Sequence, residues 1–386
     1  MKKYLLPLAV LASVDAAAQS PEATPTVAQS PMTRPIGAGQ VFNPDTSINF
    51  LTLYKSQKRE GADKTEPDGG FMLQEAEIQF MANVDAYFRA VAMFAVHPEH
   101  DHEHEEGAAV DPMVEGEERE PEEKGYGIEP EEVYLETTAL PYVTLKLGRF
   151  HADLGRHNQL HTHAYPFVDA PLINQRLLGE EGLIENGLSA SILVPLPWYA
   201  EVSAQALQGD SPELFSSESS SDVATVYRVR NLFDLTDEAT LDLGLSAARG
   251  HNFWNGTTNV RGADVSLKWR PTQGGKYQSI SLAAEYLQGE VGDRLIDSKL
   301  SGYSTWLQYQ ATQRLWVQIR QEEAKSEDEG AKAHRKLSGL IGFNPTEFSS
   351  LRLQLDQLHD DEEKPLNSLL FQANITIGAH PAHAYN

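Results

Sequence analysis

The sequence predicts an all-β fold: a closed antiparallel transmembrane β-barrel of about sixteen strands, with short periplasmic turns and long external loops. Three observations predict it. From about residue 46 onward, apolar residues recur with a period of two, which is the spacing of a strand with one apolar face. The connections between these segments alternate between short and long. The opposite face of each segment is strongly polar, as a water-filled lumen permits.

The composition of the 386-residue chain excludes several other classes of protein. Hydrophobic residues make up 40% of the chain and no run reaches the roughly 18–20 apolar residues of a membrane-spanning helix. The formal net charge of −25 opposes binding to nucleic-acid phosphates, so no nucleic-acid partner is expected. Cysteine is absent, which excludes thiol catalysis, disulfides and cysteine zinc sites.

The first eighteen residues have the features of a cleavable signal peptide. Lys2 and Lys3 are followed by an apolar stretch over Tyr4–Val14 and by small residues at 16–18. The alternative is a buried N-terminal helix. Residues 19–45 are rich in proline and polar residues, which predicts a flexible lead-in. Export followed by a barrel over 46–386 predicts the bacterial outer membrane as the location.

Sixteen segments justify the strand count in chain order. Within 71–84, for example, the even positions from Ala76 to Val84 are apolar, whereas 75, 77, 79 and 83 are polar. The predicted strands are Ile48–Tyr54, Phe71–Val84, Phe88–Val96, Val133–Thr137, Val143–Leu147, Leu188–Val194, Ala200–Ala206, Val226–Phe233, Leu241–Ala247, Ala263–Trp269, Ile280–Tyr286, Tyr303–Tyr309, Leu315–Ile319, Leu337–Phe343, Leu351–Leu355 and Leu369–Ile375.

Soluble β-sandwiches would also alternate in this way. Aromatic residues near strand ends favour the barrel, because such residues form girdles at membrane interfaces. They are Tyr54, Tyr87, Tyr134, Tyr142, Trp198, Tyr199, Trp269 and Trp316.

The segment 97–131 is rich in histidine and acid. His97, His100, His102 and His104 lie among five carboxylates within residues 97–106. Imidazoles mixed with carboxylates bind borderline divalent metals such as zinc. Because alternating histidines in an extended loop do not impose one tetrahedral geometry, loose collection of ions is expected. The alternative is a solvated acidic surface loop without a metal.

The segment 151–186 mixes histidine, arginine and aromatic residues and is less acidic, which predicts a loop that folds into the lumen. His157, His161 and His163 are candidate metal ligands, together with Asp169. The alternative is that these side chains hydrogen-bond the loop to the barrel wall.

Three arginines in or beside this segment are candidate residues of a pore constriction: Arg149, Arg156 and Arg176. A phosphate-selective channel would need a longer series of basic residues to replace the hydration of the ion. Since the chain as a whole is acidic, cations or small neutral solutes are the expected substrates.

Neither segment contains a Ser-His-Asp order, a nucleophile elbow, a phosphate-binding glycine loop or a paired-carboxylate signature. The sequence therefore predicts no catalytic residue, no enzymatic activity and no required cofactor, with zinc as a candidate bound ion. An outer-membrane enzyme would need a hydroxyl nucleophile beside one of the histidines.

Three runs resemble a family of proteobacterial outer-membrane barrel proteins often labelled zinc-regulated or TonB-dependent outer-membrane receptors, close to the broad porin superfamily. The first run spans 145–187 and contains LKLGRF, VDAPL, LGEEGL and a final glycine, Gly187. The other two are PLPWYAEVSAQ at 195–205 and ITIGAHPAHAY at 375–385. The resemblance implies an outer-membrane barrel with a histidine-bearing loop and a link to zinc. A TonB-dependent receptor also carries an N-terminal plug domain, whereas residues 19–45 alone separate the signal peptide from the first predicted strand.

The sequence thus predicts a porin-like channel for small solutes or cations, with divalent-metal capture by the segment 97–131. The expected partners are outer-membrane lipid, divalent cations or small solutes, and two further copies in a homotrimer. The alternative is a non-conducting, zinc-linked receptor or a metal-binding surface protein.

Overall fold

The computed structural model describes residues 44–62, 64–66, 69–98, 125–216, 219, 222–254, 256–272, 277–292, 297–326, 333–361 and 363–378. The predicted signal peptide and nearly all of the predicted lead-in lie outside the described residues, as do His100, His102 and His104. No helix in the described ranges is both long and apolar enough to cross a membrane.

Sixteen antiparallel strands form one closed barrel, in which each strand pairs with its neighbours in sequence and the first strand pairs with the last. The strands are β1 (Asp45–Arg59), β2 (Gly70–Asn83), β3 (Phe88–Pro98), β4 (Tyr126–Thr137), β5 (Val143–His151), β6 (Ile184–Leu193), β7 (Tyr199–Leu207), β8 (Ala224–Thr236), β9 (Ala239–His251), β10 (Thr257–Trp269), β11 (Ser279–Gly292), β12 (Asp297–Gln310), β13 (Leu315–Ser326), β14 (Ala333–Thr346), β15 (Ser349–Asp360) and β16 (Leu366–Gly378). Each predicted segment corresponds to one of them. The predicted fold class and strand count are confirmed.

Connections that follow even-numbered strands lie at one end of the barrel, the turn rim, and those that follow odd-numbered strands lie at the other, the loop rim. The turn rim has short connections such as 84–87, 237–238 and 347–348. The long loops, 99–125, 152–183 and 208–223, all belong to the first half of the loop rim. The loops between later strands are short.

Many strands extend beyond the apolar alternation toward the loop rim. In β13, Leu315, Val317 and Ile319 face outward and are exposed, but the outward positions from Gln321 to Lys325 are polar. Apolar outward residues are needed only where a strand faces hydrocarbon. The hydrophobic pattern therefore marks only part of a strand, which is why the predicted segment ended at Ile319.

Residues 152–183, which connect β5 to β6, lie inside the barrel and are called the inserted segment. They contain two 3-10 turns, His157–Gln159 and Thr162–Ala164, and the helix α1 (Leu172–Leu178). The helix contacts β11, β12 and β13. It ends at Gly179, whose φ of 86° lies in the left-handed region that favours glycine.

Two apolar clusters hold the inserted segment against the inner wall. Ile173 and Leu177 of α1 belong to a buried cluster that includes wall residues of β8 to β11. Phe167 is fully buried in a second cluster with wall residues of β1, β14 and β16. Because the two clusters lie against different strands of the inner wall, the inserted segment crosses the lumen.

Candidate functional site

Asp169 joins the inserted segment to the wall through charged contacts. Its carboxylate accepts hydrogen bonds from Arg320 Nη2 at 2.7 Å, from Lys336 Nζ at 2.6 Å and from Gln354 Nε2 at 2.8 Å. Burial alone would raise the pKa of Asp169, but the charges of Arg320 and Lys336 hold it well below its usual range. All three of these partners are wall residues that donate hydrogen bonds to the carboxylate. Asp169 therefore anchors the inserted segment to the wall.

The backbone before α1 is anchored by a second wall carboxylate, Glu285 of β11. Its Oε2 accepts hydrogen bonds from the backbone N–H groups of Arg156 and His157 at 2.7 and 2.9 Å, and its Oε1 accepts one from Asn174 Nδ2 at 3.2 Å. These bonds satisfy backbone groups that would otherwise be buried without partners.

His157 is buried beside Tyr165, with ring centroids 4.4 Å apart. Burial, and to a smaller degree the nearby charge of Arg320, lower the pKa of His157 to about 3. His157 is therefore neutral at physiological pH. Among the described residues, neither His157 nor Asp169 belongs to a group of three or more candidate ligand atoms. The candidate metal site that combined His157 and Asp169 with His161 and His163 does not form among the described residues.

His161 and His163 instead meet glutamates of the wall, in a group called the Glu77 cluster: Glu75 and Glu77 of β2, Glu131 and Glu132 of β4, and the two histidines. Glu77 Oε2 lies 3.3 Å from His161 Nδ1 and 3.0 Å from His163 Nδ1. On the other side, His161 Nδ1 lies 3.1 Å from Glu131 Oε2, and its Nε2 lies 3.3 Å from Glu132 Oε2.

The carboxylates decide the charge of His161. Burial alone would lower the pKa of His161, but the carboxylates of Glu77 and Glu131 outweigh burial and raise it well above its ordinary value. With both ring nitrogens facing carboxylates, the imidazole is an imidazolium that donates on both sides.

Two β-bulges assemble the wall side of the Glu77 cluster. The strand register shifts beside Gln74 in β2 and beside Glu131 in β4, so one extra residue is placed in each strand. As a result Glu131 and Glu132 are adjacent in sequence and both buried on the inner face. A strict period of two cannot predict this, and Glu131 was predicted to be part of an acidic loop.

A second group lies nearer the loop rim. His97 Nε2 is 3.5 Å from Glu181 Oε1 and 3.9 Å from Glu129 Oε2. His97 is half-buried, whereas both glutamates are exposed. It is the one member of the predicted quartet His97, His100, His102 and His104 that the structure describes.

Both groups border one cavity of about 900 Å³ on the loop-rim side. Glu75, Glu131 and His161 line its inner part, and the His97 group lines it as well. Another cavity of about 210 Å³ lies toward the turn rim and is lined by His163 to Pro166. Tyr165 borders both cavities. The stretch 160–166 of the inserted segment therefore separates them.

The three predicted constriction arginines do not form one ring. Arg149 donates from Nε to Pro130 O at 2.8 Å and lines the larger cavity. Arg156 donates to Asp242 of β9 at 3.0 Å, and the side chain of Arg176 on α1 is exposed.

The basic residues of the wall itself were not predicted from the sequence. Arg228, Arg320, Lys336 and Arg352 are buried on the inner face. The signal for them is a basic residue at a polar position of an alternating strand, as Arg320 is between Gln318 and Glu322. Such positions point into the lumen.

No protein-family model matches the chain. A protein of Aquifex aeolicus (strain VF5), described as uncharacterized, is 28% identical over 366 residues, which span 82% of this chain and 70% of that protein.

Solved outer-membrane proteins are similar in fold. An anion-selective porin from Comamonas acidovorans has a TM-score of 0.57 at 9% identity, covering 86% of this chain and 100% of that chain. The outer membrane channel DcaP of Acinetobacter baumannii has a TM-score of 0.53 at 10% identity, covering 87% of this chain and 96% of that chain. The likeness concerns the barrel fold. None of these three descriptions mentions zinc or TonB, so the predicted receptor family stays a prediction.

Proposed function

We propose that the protein is a porin-like channel of the bacterial outer membrane, through which small solutes or cations diffuse passively. The observation that supports this most is the closed barrel, with an apolar outer face and a charged lumen narrowed by the inserted segment. In lipid a sheet must close on itself, because no strand edge can remain unpaired. The proposal needs no catalytic residue and no cofactor.

The outer face supports a lipid environment. Exposed large hydrophobic side chains recur at every second position of the strands, as in β14 with Leu337, Ile341 and Phe343. Of the aromatics expected at the interfaces, Tyr87 and Tyr142 are exposed near the turn rim, but Trp316 and Tyr134 pack against the apolar clusters of the inserted segment. A girdle is thus proposed from the exposed aromatics only.

The acidic loop-rim cavity favours cations over anions as the transported species. Glu129, Glu180, Glu181 and Glu213 line it, with Arg149 as a basic residue among them. Clefts lined by one sign of charge raise the local concentration of counter-ions.

Conductance tests the channel. The full chain, purified and folded as judged by circular dichroism, is inserted into planar lipid bilayers. Steady stepwise current is expected, with a reversal potential in a salt gradient that shows cation preference. Folded protein that inserts without current would overturn the proposal.

One observation favours a second candidate, a barrel that the inserted segment plugs. The segment is hydrogen-bonded to wall residues as far apart as β2, β11 and β15. A variant in which residues 157–166 are replaced by a short glycine–serine linker separates the two functions. If the wild type is silent and this variant conducts, the plugged barrel is favoured; if both conduct, the porin is.

We also propose that the segment beginning at His97 collects divalent metals such as zinc at the loop rim. The carboxylates of Glu129 and Glu181 beside His97 support it. Deletion of residues 97–104 should reduce zinc uptake measured by calorimetry, whereas deletion of the loop 327–332 should not. Unchanged uptake after the first deletion would refute metal capture there.

The outer-membrane location, the signal peptide and the homotrimer are part of the same proposal. Membrane fractionation tests the location, and N-terminal sequencing of the mature protein should begin at Gln19. Chemical cross-linking in membranes should yield a band of three copies if the barrel is a trimer.

A further inference from the structure

In the Glu77 cluster, buried acidic side chains outnumber basic ones. Four carboxylates meet two imidazoles, and all four glutamates are less than a tenth exposed. Even with both imidazoles protonated, acids outnumber cations within this group. Burying unbalanced charge is costly, whereas a bound cation would offset it.

The spacing of the ligand atoms fits a metal ion. The candidate ligand atoms of Glu75, Glu77 and His163 lie within 4.8 Å of one another, and so do those of Glu77, Glu131 and His161. The contacts of Glu77 with the two histidines are 3.0 and 3.3 Å long. Tetrahedral coordination with bonds of about 2.0–2.1 Å places neighbouring ligands about 3.3 Å apart.

One carboxylate oxygen of the cluster gives a second, independent indication. Glu75 is 6% exposed, and its Oε1 has no hydrogen-bond partner. The ligand atom of Glu75 belongs to the first of the two groups of three. A buried acceptor without a partner is costly, and it is the type of group that a cation completes.

We infer that the Glu77 cluster is a binding site for a divalent transition-metal ion. The ligands are His161 and His163 of the inserted segment and Glu75, Glu77 and Glu131 of the wall. His161 releases a ring proton to solvent when the ion binds, because only a neutral imidazole nitrogen can coordinate a metal. Imidazole nitrogens combined with carboxylate oxygens suit ions such as zinc, nickel, cobalt or manganese. Ions reach the site through the cavity that Glu75, Glu131 and His161 border.

Because its ligands come from both the segment and the wall, the ion joins the stretch 160–166 to β2 and β4. This inference does not depend on the proposed channel or on metal capture by the loop at 97–104. It predicts a site of higher affinity than that loop, since the ligands are held in place by the barrel.

Metal binding to the full chain tests the inference. The protein is stripped with a chelator in detergent and titrated with Co²⁺, with the visible absorption of the bound ion as one readout. Equilibrium dialysis against Zn²⁺ with elemental analysis is the other. We expect one or two tightly bound ions in the wild type, and at least a tenfold weaker affinity in the His161→Asn, His163→Asn double variant. The control variant His97→Asn should keep them.

Because the double variant also removes the ion pairs of both histidines, a second variant changes a wall ligand instead. Glu75→Gln keeps the shape of the side chain but removes a carboxylate ligand from the first of the two groups, and it should also weaken Co²⁺ affinity at least tenfold. Folding of each variant is checked by heat-modified mobility on gels. Absence of tight binding in the wild type, or equal affinity in folded Glu75→Gln, would reduce the cluster to an ion-pair network and overturn the inference.

Conductance tests the proposed channel and metal binding tests the inferred site, so each can be refuted without the other. A folded protein that binds Co²⁺ tightly but carries no current refutes the channel and leaves the site. A protein that conducts but does not bind Co²⁺ tightly refutes the site and leaves the channel.

Discussion

The inserted segment meets the barrel wall at two charged contacts that differ in balance. At Asp169, a single carboxylate of the segment meets the cations of Arg320 and Lys336, and Glu322 of the wall pairs with both of those cations. At the Glu77 cluster, the segment supplies two imidazoles, and four glutamates of the wall face them. The first contact is complete within the protein, whereas the second leaves room for a cation from outside.

Two histidines of the same segment show what this difference does. Burial and Arg320 lower the pKa of His157 to about 3, whereas the glutamates raise the pKa of His161. Both rings are largely buried, so burial alone does not explain the contrast. The glutamates opposite His161 outweigh burial and keep that ring protonated, whereas burial is the main reason that His157 is neutral.

The largest expected effect is at the balanced contact. Asp169→Asn leaves the buried cations of Arg320 and Lys336 without their partner in the segment, which should lower the free energy of unfolding by about 3 kcal/mol. Urea unfolding followed by tryptophan fluorescence measures it. As a matched control, Arg335→Gln removes an ion pair with Glu323 on the exposed outer face and should leave the midpoint unchanged. Equal midpoints for the two variants would show that Asp169 does not anchor the segment.

The next effect concerns pH. Since the pKa of His157 is about 3 in the folded protein and about 6.5 in the unfolded chain, the unfolded chain binds more protons between these values. The stability that neutral His157 contributes is complete above about pH 6.5 and falls as the pH falls. His157→Gln should reduce the loss between pH 6.5 and 5 by about 2 kcal/mol. Parallel stability–pH curves for wild type and variant would contradict it.

A smaller effect on stability is expected at the Glu77 cluster. In the presence of a chelator, Glu132→Gln places an amide opposite His161 Nε2, 3.3 Å from the present carboxylate oxygen, and should cost about 1–2 kcal/mol. Thermal unfolding monitored by circular dichroism measures the change. The control Glu129→Gln alters an exposed glutamate near the loop rim. A Glu132→Gln variant as stable as this control would show that the imidazolium is not held there.

The smallest effect is expected at the mouth of the larger cavity. Glu181→Gln removes one exposed charge, so the folded state should be unaffected while the cation preference in the bilayer falls slightly. The reversal potential in a salt gradient measures this. A variant that becomes anion-selective would mean that this single residue, rather than the summed charge of the cavity, sets selectivity.

Much of the fold could be predicted from alternation alone. The segments ending at Ile319 and Leu355 lie in the observed strands β13 and β15, because residues that face hydrocarbon must be apolar in every second position. Strand ends beyond the apolar band were missed, since both faces are polar there. The candidate site was predicted in part: His161 and His163 were named, but their glutamate partners were not.

The sequence by itself determined the closed barrel, its strand count and the presence of a long histidine-bearing segment after β5, because these follow from local periodicity. Only the tertiary structure decided that Asp169 faces Arg320 and Lys336 while His161 faces three glutamates. These partners are brought together by barrel closure, by the path of the segment across the lumen and by two bulges that shift the side-chain period. Charge balance across the lumen is a property of residues far apart in the chain, and no local pattern encodes it.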